Sequence, residues 1–134
     1  MRHYLSLLIV SIILITGNLL LAGCNRAGDD LQAAIQDIEG PHVEVTIRNI
    51  ESESENEFDP AQITIETGTT VVWINQDSAP HSVTEGTPGD VDSDFDEEIL
   101  PGAYTILLFD EPGVYSYYDR YMESSAGEIT VQEQ

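Results

Sequence analysis

Apolar residues recur at every second position from His42 onward, and that spacing constrains the fold of this chain more than any other feature. Val43, Val45 and Ile47 alternate with Glu44, Thr46 and Arg48, the pattern of a strand with one face in a core and one in water. Ile63 and Ile65 repeat the habit, and Thr69 to Ile74 is a β-branched run around Trp73. Tyr104 to Phe109, Val114 to Tyr118 and Glu128 to Val131 follow in the last third. Gly68, Pro101-Gly102 and Pro112-Gly113 separate these segments, each a residue type that turns a chain. Short strands punctuated in this way, with no second helical region, predict an all-β sandwich of antiparallel or mixed pairing. No internal repeat and no second domain are visible.

The first 41 residues read differently. Arg2 and His3 precede an apolar run from Leu5 to Leu21, closed by Leu21-Ala22-Gly23-Cys24. This predicts a secretory signal over residues 1–23; a run of about 17 residues is only marginally long enough to span a bilayer. The closing four residues resemble the lipobox of bacterial and archaeal lipoproteins, which implies lipidation of Cys24 and an extracytoplasmic domain tethered to the cell membrane or outer membrane. Cys24 is the only cysteine, so no intrachain disulfide can form and the domain must rest on its core. Residues 24–41 are expected to form a polar tether and a short helix. Leu31, Ala34, Ile35 and Ile38 fall on one helical face, Asp29 or Asp30 is the expected cap, and Gly40-Pro41 the stop. Residues 42–134 would be the folded domain, of ordinary single-domain size.

Charge excludes one class of partner. The sequence carries 25 acidic against 4 basic residues, a formal net charge of -21; all four basic residues are Arg. Binding of nucleic acid through phosphates needs clustered Lys and Arg, and none exists here. The same surface repels anionic head groups, leaving the lipid tether to hold the membrane. So much like charge reads either as a solvated face that keeps the protein soluble or as adaptation to high salt, where screening removes the self-repulsion; the absence of Lys favours the saline habitat.

The order of parts from Val43 to Val131 is similar to that of the cupredoxins, small blue-copper Greek-key sandwiches. The resemblance rests on Phe58-x-Pro60, Ile63-x-Ile65, Gly68-Thr-Thr-Val-Val-Trp-Ile-Asn75 and Pro80-His81-Ser-Val-Thr84. It continues through Phe95, Leu100-x-Gly102, Glu111-Pro-Gly-Val-Tyr-Ser-Tyr-Tyr118 and the closing Gly127-x-Ile129-x-Val131. It implies copper held by an upstream histidine, here His81, and by a Cys, a His and a Met from one late loop. Laid down without gaps from Tyr118, that loop puts Asp119 at the cysteine, Met122 at the histidine and Ser125 at the methionine.

The substitutions change the expected chemistry. A blue centre depends on thiolate-to-copper bonding, and Asp119 offers a hard oxygen instead. Three readings follow. In the first, the domain is a binding or accessory module, not an enzyme, whose copper site is degenerate; Asp119 caps backbone N–H groups and Met122 fills the pocket. In the second, His81, Asp119 and Met122 hold copper in an altered site for electron transfer or copper handling. A third reading makes the domain a structural partner of a membrane redox or transport protein. By the topology of the family, His42 lies at the far end of the sandwich. The acidic run Gly89 to Glu98 lacks the central glycine and terminal spacing of an EF-hand and reads as a solvated loop. No nucleophile elbow, phosphate loop or paired histidine is present.

Overall fold

The computed structural model describes residues 26–51 and 55–134. The expected signal segment, residues 1–23, and Cys24 lie outside the described residues, and among those described no helix is long and apolar enough to cross a membrane.

The chain opens with α1 (Arg26–Gln36). It starts before Asp29 and Asp30, which fall inside the helix rather than at its cap. Leu31, Ala34, Ile35 and Ile38 are half-buried while Gln32, Ala33, Gln36 and Asp37 are exposed, the one-faced burial that the apolar spacing predicts.

Among the described residues nine strands follow: β1 (His42–Ile47), β2 (Phe58–Asp59), β3 (Gln62–Glu66), β4 (Thr69–Asn75), β5 (His81–Glu85), β6 (Asp96–Ile99), β7 (Tyr104–Phe109), β8 (Gly113–Asp119) and β9 (Met122–Gln132). They form two sheets, ordered β2-β1-β4-β7 and β3-β9-β8-β5-β6. Pairing is mixed: β1 with β4 and β3 with β9 run parallel, and the other pairs are antiparallel. The sheets face each other across one core. Val45, Ile47, Phe58, Val71, Trp73 and Phe109 come from the first, and Ile65, Val83, Ile99, Tyr117, Ile129 and Val131 from the second.

An edge-on aromatic chain knits the two sheets together. Tyr117 meets Phe58 at 4.9 Å and Trp73 at 5.5 Å between ring centroids, distances at which perpendicular rings attract beyond simple burial. Each fully buried aliphatic or aromatic side chain contributes about 1.5–3 kcal/mol, so this core can hold the domain without a covalent staple.

Two segments differ from expectation. The polar stretch after Glu85 returns to the sheet as β6, an edge strand that pairs with β5 along His81 to Thr84. Phe95 packs on the core, whereas Val91 is 93% exposed and anchors nothing. The late loop is also shorter than a ligand loop would be. β8 runs on to Asp119 and β9 begins at Met122, the two paired across Arg120 and Tyr121. The surplus residues sit in a shift of register after Tyr118, where Ser125 is buried.

Candidate functional site

The site forms at the end of the sandwich where β1 and β4 finish and β5 begins. Asn75, fully buried at the end of β4, organises the approach to it. Its side-chain amide donates to the carbonyls of Ala79 (2.8 Å) and Ile99 (2.9 Å), and its carbonyl accepts the Asp77 N–H (2.9 Å). The β4–β5 loop is thereby knotted, with Asp77 held beside the His81 ring.

His81 is 4% exposed, and both its ring nitrogens face carboxylates. Nδ1–H donates to Asp119 Oδ2 at 2.7 Å, and Nε2–H donates to Asp77 Oδ2 at 2.9 Å. Carboxylates only accept when ionised, so a ring bound at both ends is an imidazolium. Burial works against that charge, but the bonds to Asp119 and Asp77 outweigh it and raise the His81 pKa above its ordinary value. The same bond holds Asp77 down at about 2.

Asp119 closes β8 fully buried. Its Oδ1 accepts the N–H of Ser82 (3.0 Å), the Ser82 hydroxyl (3.3 Å) and the N–H of Tyr121 (2.9 Å). Asp119 thus divides its oxygens: Oδ1 caps backbone groups, as the capping reading expects, and Oδ2 faces His81. Met122 does not join the hydrogen-bonded cluster. It is half-buried and lines, with His81, Glu57, Asp77 and Tyr121, a cavity of about 280 Å³. His42 opens β1 at the end of the strand opposite Ile47, away from this cluster.

Sequence reasoning missed Glu57. It closes an acidic run expected to be solvated, yet it is 1% exposed, with its N–H donating to the Ser125 hydroxyl at 3.3 Å. Its Oε2 lies 3.4 Å from His81 Nδ1 and has no hydrogen-bond partner. Burial pushes this carboxyl up to about 7; the His81 charge pulls it down, and the Asp119 carboxylate adds to the rise. Nothing local separates Glu57 from the acids before it except the apolar Phe58 that follows and pins the strand.

Both raised groups predict how the metal-free domain responds to pH. Glu57 and His81 hold protons in the folded state that the unfolded chain releases, so stability is full below the unfolded values of 4.5 and 6.5. It is lost as pH rises through the folded ones. Asp77 acts only in acid, between 3.8 and about 2. With chelator present, the thermal midpoint therefore falls by several degrees between about pH 5 and pH 8, and Glu57→Gln flattens the slope. A scan that rises with pH would contradict this.

The match to known proteins agrees with the fold. The family description "Cupredoxin-like domain" matches residues 12–131. Plastocyanin from Scenedesmus fuscus is 31% identical over 84 residues, 56% of this chain and 86% of that protein. Among solved structures, the purple cupredoxin from Nitrosopumilus maritimus is 29% identical with a TM-score of 0.60, covering 67% of this chain and 99% of its own. Amicyanin from Paracoccus versutus is 25% identical with a TM-score of 0.57, covering 72% and 87%.

Relatives of this family bind copper, so the residues here must be tested against that metal. They do not fit a blue centre: among the described residues the cluster offers no thiol and a single imidazole, His81, which is hydrogen-bonded to the Asp119 carboxylate. They do fit a divalent ion that accepts nitrogen and oxygen donors, Cu(II) among them, since Glu57, His81 and Asp119 each offer one ligand atom and all three atoms lie within 4.8 Å of one another. By its sheets, its order of parts and its match over most of the sequence, the chain belongs to the cupredoxin-like domain family.

Proposed function

We propose that this chain is an extracytoplasmic, lipid-anchored cupredoxin-like module that binds rather than catalyses, and that it does not carry electrons as a blue-copper protein does. One observation carries the reading: Asp119, which the loop resemblance sets at the thiolate's position, has Oδ1 used by Ser82 and Tyr121 and Oδ2 by His81. Hard oxygen favours Cu(II), so a copper ion at this site would lack the soft covalent path that keeps both oxidation states alike in geometry. His81 and Asp119 would hold such an ion, and Met122, on the cavity wall, would be at most an apolar or weak axial neighbour. The partner on this reading is a membrane redox or transport protein reached through the tether.

Two tests separate the parts of the proposal. Copper-treated full chain on an electrode is expected to give no reversible one-electron wave; a sharp reversible couple would overturn the non-carrier role. Cys24→Ser is expected to move the protein from the membrane fraction to the soluble one, and its retention at the membrane would overturn the anchor.

A further inference from the structure

We infer that Glu57, His81 and Asp119 form a binding site for a redox-inactive divalent transition ion such as Zn(II), with Glu57 the ligand that makes the site a metal site. The inference rests on the non-blue reading above and deepens it by naming the ion class and the third ligand.

A carboxyl oxygen buried without a hydrogen bond is destabilising, and Glu57 Oε2 has none while facing a ring nitrogen 3.4 Å away. A cation between the two satisfies it. In a tetrahedral zinc site, bonds of about 2.0–2.1 Å put neighbouring ligand atoms about 3.3 Å apart, so the Glu57–His81 separation already matches. The His81–Asp119 separation of 2.7 Å is shorter because a proton lies there. Binding displaces that proton from Nδ1, together with the one Glu57 holds when its carboxyl is protonated, and widens the pair by about 0.6 Å; the released protons go to solvent, and no electron changes hands.

The groups around the three ligands support them in place. Metal-bound histidines usually donate their other N–H to a carboxylate, which fixes the ring. Asp77 accepts from Nε2 at 2.9 Å. Asp119 keeps Oδ1 occupied by Ser82 and Tyr121, leaving Oδ2 as a single ligand oxygen. Ser125 receives the Glu57 N–H and fixes that residue at the site. Two oxygens and one imidazole are a hard to borderline set with a fourth position open to the cavity, where water can complete four-coordination. Such a set suits Zn(II) and gives no purchase to Cu(I).

The experiment uses full chain solubilised in detergent, stripped by chelator, and titrated calorimetrically with Zn(II). One-to-one binding is expected. Glu57→Gln, which keeps size and fold, should weaken it by at least about 10-fold, and Asp77→Asn by about 10- to 100-fold. The Co(II) form should show visible d–d bands without sulfur-to-metal charge transfer. No binding, or unchanged affinity in Glu57→Gln with its thermal unfolding intact, overturns the site. Intense red-end absorption on adding Cu(II) would instead overturn the non-blue reading, whatever Zn(II) does.

Discussion

Asp119→Ala should lower the stability of the domain by about 3–5 kcal/mol, the largest loss expected from any single polar change. Truncation leaves the N–H groups of Ser82 and Tyr121 and the Ser82 hydroxyl without their acceptor, and it leaves an imidazolium buried beside only Asp77 and Glu57. A loss of that size takes up a large share of what a domain of this length has in total. Asp119→Asn keeps the Oδ1 acceptor but removes the charge, so it should fall between alanine and wild type. Urea unfolding followed by tryptophan fluorescence at Trp73 measures all three. Equal stability of Asp119→Ala and wild type would mean that this carboxylate is not the hub described here.

Gly127→Ala is the second large effect, about 3 kcal/mol. A Cβ at Gly127 would stand 2.1 Å from Tyr117 Cζ and 2.3 Å from its hydroxyl oxygen. The ring cannot retreat, because Tyr117 is 1% exposed and wedged edge-on against Phe58 and Trp73. Tyr117→Leu removes the obstructing ring, so on that background the same glycine change should cost far less. The difference between the two backgrounds is the coupling expected of residues in contact. Additive losses would show that the glycine matters for another reason.

The fold was legible because alternation and turn chemistry act locally. Val43, Val45 and Ile47 can only share a face if the segment is extended, and Gly68 and Pro101-Gly102 mark reversals the structure contains. Helix boundaries were less so: Asp29 and Asp30 are good caps by type, but the helix extends to Arg26 and passes through them.

Half of the site was legible, and only through the family resemblance: Pro80-His81-Ser-Val-Thr84 and the late loop after Tyr118 are the segments that let His81 and Asp119 be placed. Glu57 and Asp77 could not be placed, because their roles come from distant residues. Glu57 is buried by Ser125 and His81, both far along the chain, and Asp77 is set by the Asn75 knot. A carboxylate in an acidic run carries no local mark of burial. Met122 came from the same loop resemblance, as a ligand or an apolar plug, and the tight Asp119–Met122 pairing sets it on the cavity wall beside His81.

Visible absorption and electron paramagnetic resonance of the full chain titrated with Cu(II), with Cys24→Ser as a control for the lone thiol, test the central claim most directly. The account predicts only weak d–d absorption and the wide copper hyperfine splitting of nitrogen and oxygen ligation, unchanged in Cys24→Ser and altered in Glu57→Gln. An intense charge-transfer band at the red end of the visible, with compressed hyperfine splitting, would contradict it.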